Sequence, residues 1–336
     1  MLMRIVLPVV VLVAIVLPLA TSGWDAFLTL VWAKALPVLG IILLLQAGQV
    51  SFGHAMFFAT GAYTAGFVIR AIPGGEIVIA LAAAIGASVV AGLLVGVFVV
   101  RYRYIFFAMF NLAFSMVFYS LLEKFIHITG GSDGLSIPRP EILGQAMERS
   151  EYEFVLYYLA LALLVICLYG VHRFLDSPLG HTLKAIKTNE TRIEYLGLSP
   201  RRVLLIAYII SAFLAGLGGA LVAVFQGIAT PEYAYWVRSG EFVFVAILGG
   251  TGNVFGALAG SFVYEYIRVT ATAYVGDTWQ LTLGLVLLVI ILFAPSGLVG
   301  VLNDIRGYLG KGRREPTPSG GKQPSGKTEK QRGEEQ

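Results

Sequence analysis

The sequence predicts an all-α polytopic membrane protein of about ten transmembrane helices. Of its 336 residues 57% are apolar and only 13% charged, against about 25% charged in ordinary soluble domains. The mean hydropathy is +0.80, and apolar runs recur along the chain instead of forming one segment. Inside lipid every backbone group must be satisfied within the chain, which repeated apolar runs of this length achieve as helices. This composition excludes an ordinary cytosolic enzyme. The single cysteine, Cys167, lies in an apolar stretch, so no disulfide closes within the chain and no thiol metal site assembles.

At about 20 apolar residues per crossing, clear spans fall near 5–20, 27–45, 78–100, 104–122, 153–172, 203–225, 253–272 and 279–297. The first run carries Arg4, an apolar core and the small residues Ala20, Thr21 and Ser22, which also fit a cleaved signal; Pro8, Pro18 and the multi-span context favour a retained helix. Two weaker stretches need a separate argument. Residues 50–69 are interrupted by Gly53, Gly61 and Gly66, and residues 236–250 end early at Gly249 and Gly250. Basic residues are retained on the cytoplasmic side. Arg173, Lys184, Lys187, Arg192, Arg201 and Arg202 mark one cytoplasmic segment, and the tail from Asn303 holds eight basic and five acidic residues. Three clear spans separate these two segments, so 236–250 must also cross. The same parity between Arg4 and the pair Arg101 and Arg103 makes 50–69 a crossing. Both termini are then cytoplasmic. Ten spans divide into two inverted five-helix halves, each with a Gly-broken third helix facing a shared pathway.

Gly252, Gly256 and Gly260, and again Gly92 and Gly96, recur at four-residue spacing, which lets helix backbones approach closely. Packing is the plainer explanation for them. Gln49, Ser51 and His54 lie among Gly48 and Gly53, where irregular backbone is tolerated in a membrane only beside protein or a water-filled cavity. They are candidates for the translocation path, although a polar residue in a span more often bonds a neighbouring helix. Asn111, Ser115 and Tyr119 share one helical face as a polar stripe and join that list. Glu265 and Arg268, three apart, are expected to pair near the outer boundary. Acidic residues otherwise fall at loops or span ends.

The cytoplasmic segment reads as a surface helix, with Ser177 capping it and Pro178 at its first position. Leu179, Leu183 and Ile186 form one apolar face, and Gly197 and Pro200 end the helix. That face suits either anionic lipid or a groove on a soluble partner. Two motif matches are set aside. Gly321, Gly326, Lys327 and Thr328 satisfy the phosphate-loop pattern but sit in a polar, Pro- and Gly-rich tail without a strand or helix. Asn189 and Thr191 frame a glycosylation acceptor on the cytoplasmic side, where no modification is expected.

The run from Gly48 to Ala55, followed by Gly61-Ala62-Tyr63, resembles the permeases of bacterial branched-chain amino acid ABC importers, of the LivM type. Further matches are Tyr104 to Phe114, Thr129 to Leu135, Ser177 to Gly197, Gly249 to Gly252 with Gly256, and Phe293 to Leu298. The resemblance implies a multi-pass, non-catalytic subunit of the bacterial inner membrane. Its implied partners are a second related permease, two cytoplasmic ATPase subunits that bind the ATP, a periplasmic solute-binding protein and membrane lipid, with no nucleic acid. It also implies a transmembrane permease domain over 1–302, a cytoplasmic coupling loop over 173–202, and a disordered tail over 303–336. The coupling positions it implies are Ser177, Pro178, Gly180, Leu183, Ala185, Ile186, Glu190 and Gly197. His181, Thr182 and Asn111 depart from the residues usual in the family, which leaves open a urea or short-amide permease. No cofactor or metal is expected in the chain. An ion-coupled secondary transporter is a rival class, set back by the expected absence of deep carboxylates; a passive channel would need no docking helix.

Overall fold

A computed structural model describes residues 23–72, 74–142, 145, 147–294 and 297–300, together with Ala14. The expected span at 5–20 apart from Ala14, residues 295–296 of the last expected span, and the tail from Asn303 lie outside the described residues.

The described chain is helical nearly throughout. The long elements are α1 (Trp24–Gln46), α2 (His54–Ala71), α3 (Ile77–Val99) and α4 (Tyr104–Lys124). After a short α5 (Ile126–Thr129) and an outer loop come α6 (Arg149–Leu175), the paired short helices α7 (Pro178–Thr188) and α8 (Glu190–Tyr195), and α9 (Pro200–Gln226). The last three are α10 (Trp236–Gly249), α11 (Phe255–Val275) and α12 (Trp279–Phe293). Five of these, α1, α3, α4, α6 and α9, are long and apolar enough to cross a membrane. The chain is thus a multi-pass helical membrane protein. The weak stretches at 50–69 and 236–250 are also helices, α2 and α10.

Helix ends meet at two opposite sides. On one, Gln46 bonds the Thr251 carbonyl, Arg103 pairs with Glu190, and Gly297 sits against Gly250. On the other, Leu135 and Ser136 form a two-residue antiparallel ladder with Ala229 and Ile228, and the Ile77 N–H donates to the Glu141 carbonyl at 3.2 Å. Successive long helices therefore run in alternating directions.

The core forms around α9, which packs against α1, α2 and α3. Small residues make this possible. A Cβ on Gly61 of α2 would lie 1.9 Å from the Gly216 carbonyl oxygen of α9, and one on Gly219 would lie 1.9 Å from the Phe58 carbonyl oxygen. In lipid, where apolar surface gains nothing by leaving the solvent, such close backbone contact is what holds helices together. Tyr208, Phe57 and Phe107 fill the space beside the crossing with edge-to-face rings 5.6 and 5.9 Å apart. α4 instead turns Ile105, Phe106, Met109 and Val117 outward, as a lipid-facing helix does.

Three expectations need correction. The third helices are not broken within themselves: α2 runs unbroken through Gly61 and Gly66, and these glycines are crossing points where the partner backbone leaves no room for a side chain. The irregular chain precedes each helix, at 47–53 before α2 and at 227–235 before α10. The segment expected to be cytoplasmic is not one helix to Gly197. It breaks at Asn189, whose side chain accepts from the Arg192 N–H and so caps a second helix. Glu265 pairs with Arg268 as expected, but from the middle of α11 and not near its end. Gly256 and Gly260 do pack tightly against 245–250, whereas Gly252 faces open space.

Candidate functional site

Three polar constellations stand out in this apolar body. The first lies where the irregular 47–53 segment enters α2. The Ser51 hydroxyl accepts from the Gly53 N–H at 3.3 Å and lies 3.0 Å from His54 Nδ1. His54 Nε2 bonds the Ser211 hydroxyl of α9. Gln49 Oε1 accepts the Tyr104 N–H at 2.9 Å, and Tyr104 holds a positive φ of 52° that places its N–H there. On α4, Asn111 donates to the Phe107 carbonyl at 2.8 Å and accepts from the Tyr208 hydroxyl at 2.5 Å. Ser115 donates to the Ala234 carbonyl at 2.8 Å, and Ser239 accepts the Ala55 N–H at 2.8 Å. Gln49, Ser51, His54, Asn111 and Ser115 are all buried. Each is used to tie one helix to another or to terminate one, and none of them lines the cleft at Tyr119 and Tyr235. Tyr119 alone among the six reaches open space, where its ring lies 5.1 Å from that of Tyr235.

The second constellation is the loop of α7 and α8. Ser177 caps α7 by accepting the Gly180 N–H at 3.3 Å, with Pro178 at the first helical position. Gly180 abuts the Phe174 and Leu175 backbone. Leu183 and Ile186, expected on an outward docking face, are buried against the membrane body at 0% and 3% exposure, while Leu179 stays 42% exposed. Ala185 is half-buried and Gly197, with φ +78°, is exposed. The loop's outer apolar surface is instead Leu179 with Tyr195, Leu196 and Leu198. Glu190 is not free either. It takes a bidentate pair from Arg103, Nε to Oε2 at 2.9 Å and Nη2 to Oε1 at 2.6 Å. Arg103 Nη1 also caps the Val100 carbonyl and donates to the Tyr102 carbonyl at 2.9 Å, so the loop is fastened to the α3–α4 turn.

The third contains the expected pair of Glu265 and Arg268 together with a partner that was not anticipated. Lys34 of α1 donates to Glu265 Oε2 at 2.9 Å, and Arg268 donates to Oε1 of the same carboxylate. Glu265 is 1% exposed. Beside them Arg238 of α10 pairs with Glu241 at 2.9 Å. Arg238, Glu241 and Arg268 line an open cleft of about 490 Å³. Lys34 was visible as a charge within a span, and an ionisable residue in lipid is by itself a functional signal; its partner 231 residues away was not legible. Among the described residues no cluster of His, Cys, Asp or Glu could hold a metal ion.

The family model described as "Branched-chain amino acid transport system / permease component" matches residues 23–294. The chain belongs to this family. The LivM permease protein of the high-affinity branched-chain amino acid transport system of Escherichia coli K12 is 30% identical over 274 residues, 75% of this chain and 64% of that protein. This chain therefore spans less than two thirds of that relative's length. The LivH permease protein of the same strain is 23% identical over 270 residues, 75% of this chain and 86% of its own length. The BraD permease protein of Pseudomonas aeruginosa is 25% identical over 159 residues, 46% of this chain and 51% of its own. No solved structure matches the chain significantly.

The family match runs through all three constellations, from Lys34 to Arg268.

Proposed function

We propose that this chain is the membrane-spanning permease subunit of an ATP-driven importer that carries branched-chain amino acids into the cytoplasm. The observation that carries the reading is the family match across 23–294, whose curated relatives are named as branched-chain amino acid permeases. In this reading ten helices in two inverted halves span the bacterial inner membrane with both termini inside, and a second, related permease completes the path. A periplasmic protein delivers the solute. Two cytoplasmic ATPase subunits bind the ATP and grip the outer surface of the α7–α8 loop at Leu179, Tyr195 and Leu196. Their closure moves the loop, and Arg103 passes that movement to α4.

The rival ion-coupled carrier gains a deep carboxylate in Glu265, against the expectation that none exists. That carboxylate is already paired with Lys34 and Arg268, and these two cations oppose the approach of a transported one. Co-expression with the sister permease and the ATPases tests the assignment. A stable four-chain complex whose ATPase activity rises with solute-loaded binding protein supports it. Assembly that proceeds normally with Tyr195→Asp and Leu196→Asp in the loop contradicts the docking surface. Stimulation by urea-loaded but not leucine-loaded binding protein would replace the solute with urea.

A further inference from the structure

The cleft beside α10 has a charge arrangement that the helix packing does not require. Lys34, Arg268 and Glu265 together carry one net positive charge, because two cations share one carboxylate. Arg238 and Glu241 cancel. Glu232, also at the cleft, is exposed and has no cation within ion-pair distance among the described residues. The walls therefore offer one surplus cation, at Arg268, and one surplus anion, at Glu232. Arg268 uses its Nε and one terminal nitrogen on Glu265, so a guanidinium edge remains for a second carboxylate.

The apolar part of the cleft is equally specific. Tyr119 of α4 and Tyr235, at the entry to α10, bring their rings to 5.1 Å at 56°, and Val237 stands beside them, 43% exposed. The volume of about 490 Å³ lies within the range of small-molecule sites. α10 has only 14 residues, about 21 Å at 1.5 Å per residue, short of the ~30 Å of a bilayer's hydrocarbon core. Arg268 lies seven residues before the end of α11, about 10 Å along the axis from that end.

We infer that this cleft is a binding site for a zwitterionic α-amino acid with an aliphatic side chain, with the carboxylate on Arg268, the ammonium on Glu232, and the side chain against Tyr119 and Tyr235. This rests on the proposed function for the choice of amino acid only. It gives the permease its own recognition step in addition to that of any delivering protein.

The test is equilibrium binding of radiolabelled L-leucine to the full chain in nanodiscs of phosphatidylglycerol, free of zwitterionic lipid. L-Leucine is expected to saturate the signal. 4-Methylpentanoate, which lacks the ammonium, and 3-methylbutylamine, which lacks the carboxylate, should each bind at least tenfold more weakly, the cost of one charge-assisted contact. Arg268→Gln and Glu232→Gln should each weaken leucine at least tenfold. Glu232 is exposed and without an ion pair, so its variant should fold even where Arg268→Gln does not. A wild-type chain with no saturable leucine signal, equal binding of the two half-ligands, or unchanged affinity in Glu232→Gln would overturn the site. The assay needs no ATPase, so its failure is distinct from a failure of ATP-driven transport.

Discussion

Replacing Glu190 with glutamine isolates the ion-pair link between the α7–α8 loop and the α3–α4 turn. Arg103 is the worse choice for that purpose, because it also holds the Val100 and Tyr102 carbonyls at the α3–α4 turn. The bidentate pair puts two charge-assisted contacts, at 2.9 and 2.6 Å, between α8 and that turn. A hydrogen bond to a charged group contributes about 1.5–3 kcal/mol. The Glu190 side chain is 32% exposed and Arg103 15%, so solvent screening reduces the figure to about 1–2 kcal/mol. That is roughly a 5- to 30-fold shift in the ratio of docked to undocked loop. If force passes through this pair, Glu190→Gln should lower the amount of leucine moved per ATP hydrolysed while ATP hydrolysis itself continues. The assay is paired measurement of uptake and phosphate release in proteoliposomes holding the complete complex. The exchange Arg103→Glu with Glu190→Arg should recover part of the stoichiometry. An unchanged ratio of leucine to ATP in Glu190→Gln would refute transmission by this route.

Other outcomes follow from the same geometry. Gly219→Val should abolish recovery of monodisperse protein in detergent, since its side chain would meet the Phe58 carbonyl, whereas Gly170→Ala, facing open space, should leave yield and melting temperature unchanged. His54→Ala removes the bonds to Ser51 and Ser211 and leaves buried hydroxyls without that partner; at about 1–3 kcal/mol for an unsatisfied buried group, the melting temperature should fall measurably, with expression retained. Glu265→Gln should destabilise the chain more than Lys34→Met, because the first strands two cations and the second leaves Glu265 paired with Arg268; thermal unfolding of the two variants, with costs near the ~3–5 kcal/mol of a broken buried pair, checks the order.

Much of the fold was legible because lipid imposes a simple rule: a run near 20 apolar residues has to be a helix, and the two doubtful stretches, which charge parity makes crossings, are the helices α2 and α10. Glycine was harder to read. Gly61 and Gly66 resemble breaks when hydropathy is averaged, yet they are where α9 and the outer loop press closest. In the cytoplasmic segment the spacing of Leu179, Leu183 and Ile186 reveals one face, but spacing says nothing about what covers it, and the membrane body takes Leu183 and Ile186 for itself. Asn189 carried a readable signal as a helix cap that the continuing apolar rhythm masked. The Lys34–Glu265 pair could not be seen, since two residues 231 positions apart meet only after α1 and α11 pack. Of the six expected path residues, five are buried and serve helix joints, and Tyr119 opens on the cleft.

The central claim is that this chain supplies a path and its neighbours supply the energy. Leucine uptake into proteoliposomes tests it most directly, comparing the complete complex of both permeases and both ATPase subunits, given binding protein and ATP, with this chain alone under imposed proton and sodium gradients. Uphill accumulation only in the complete complex, abolished by withholding ATP, is the expected result. Accumulation by the chain alone, driven by either gradient, would contradict it.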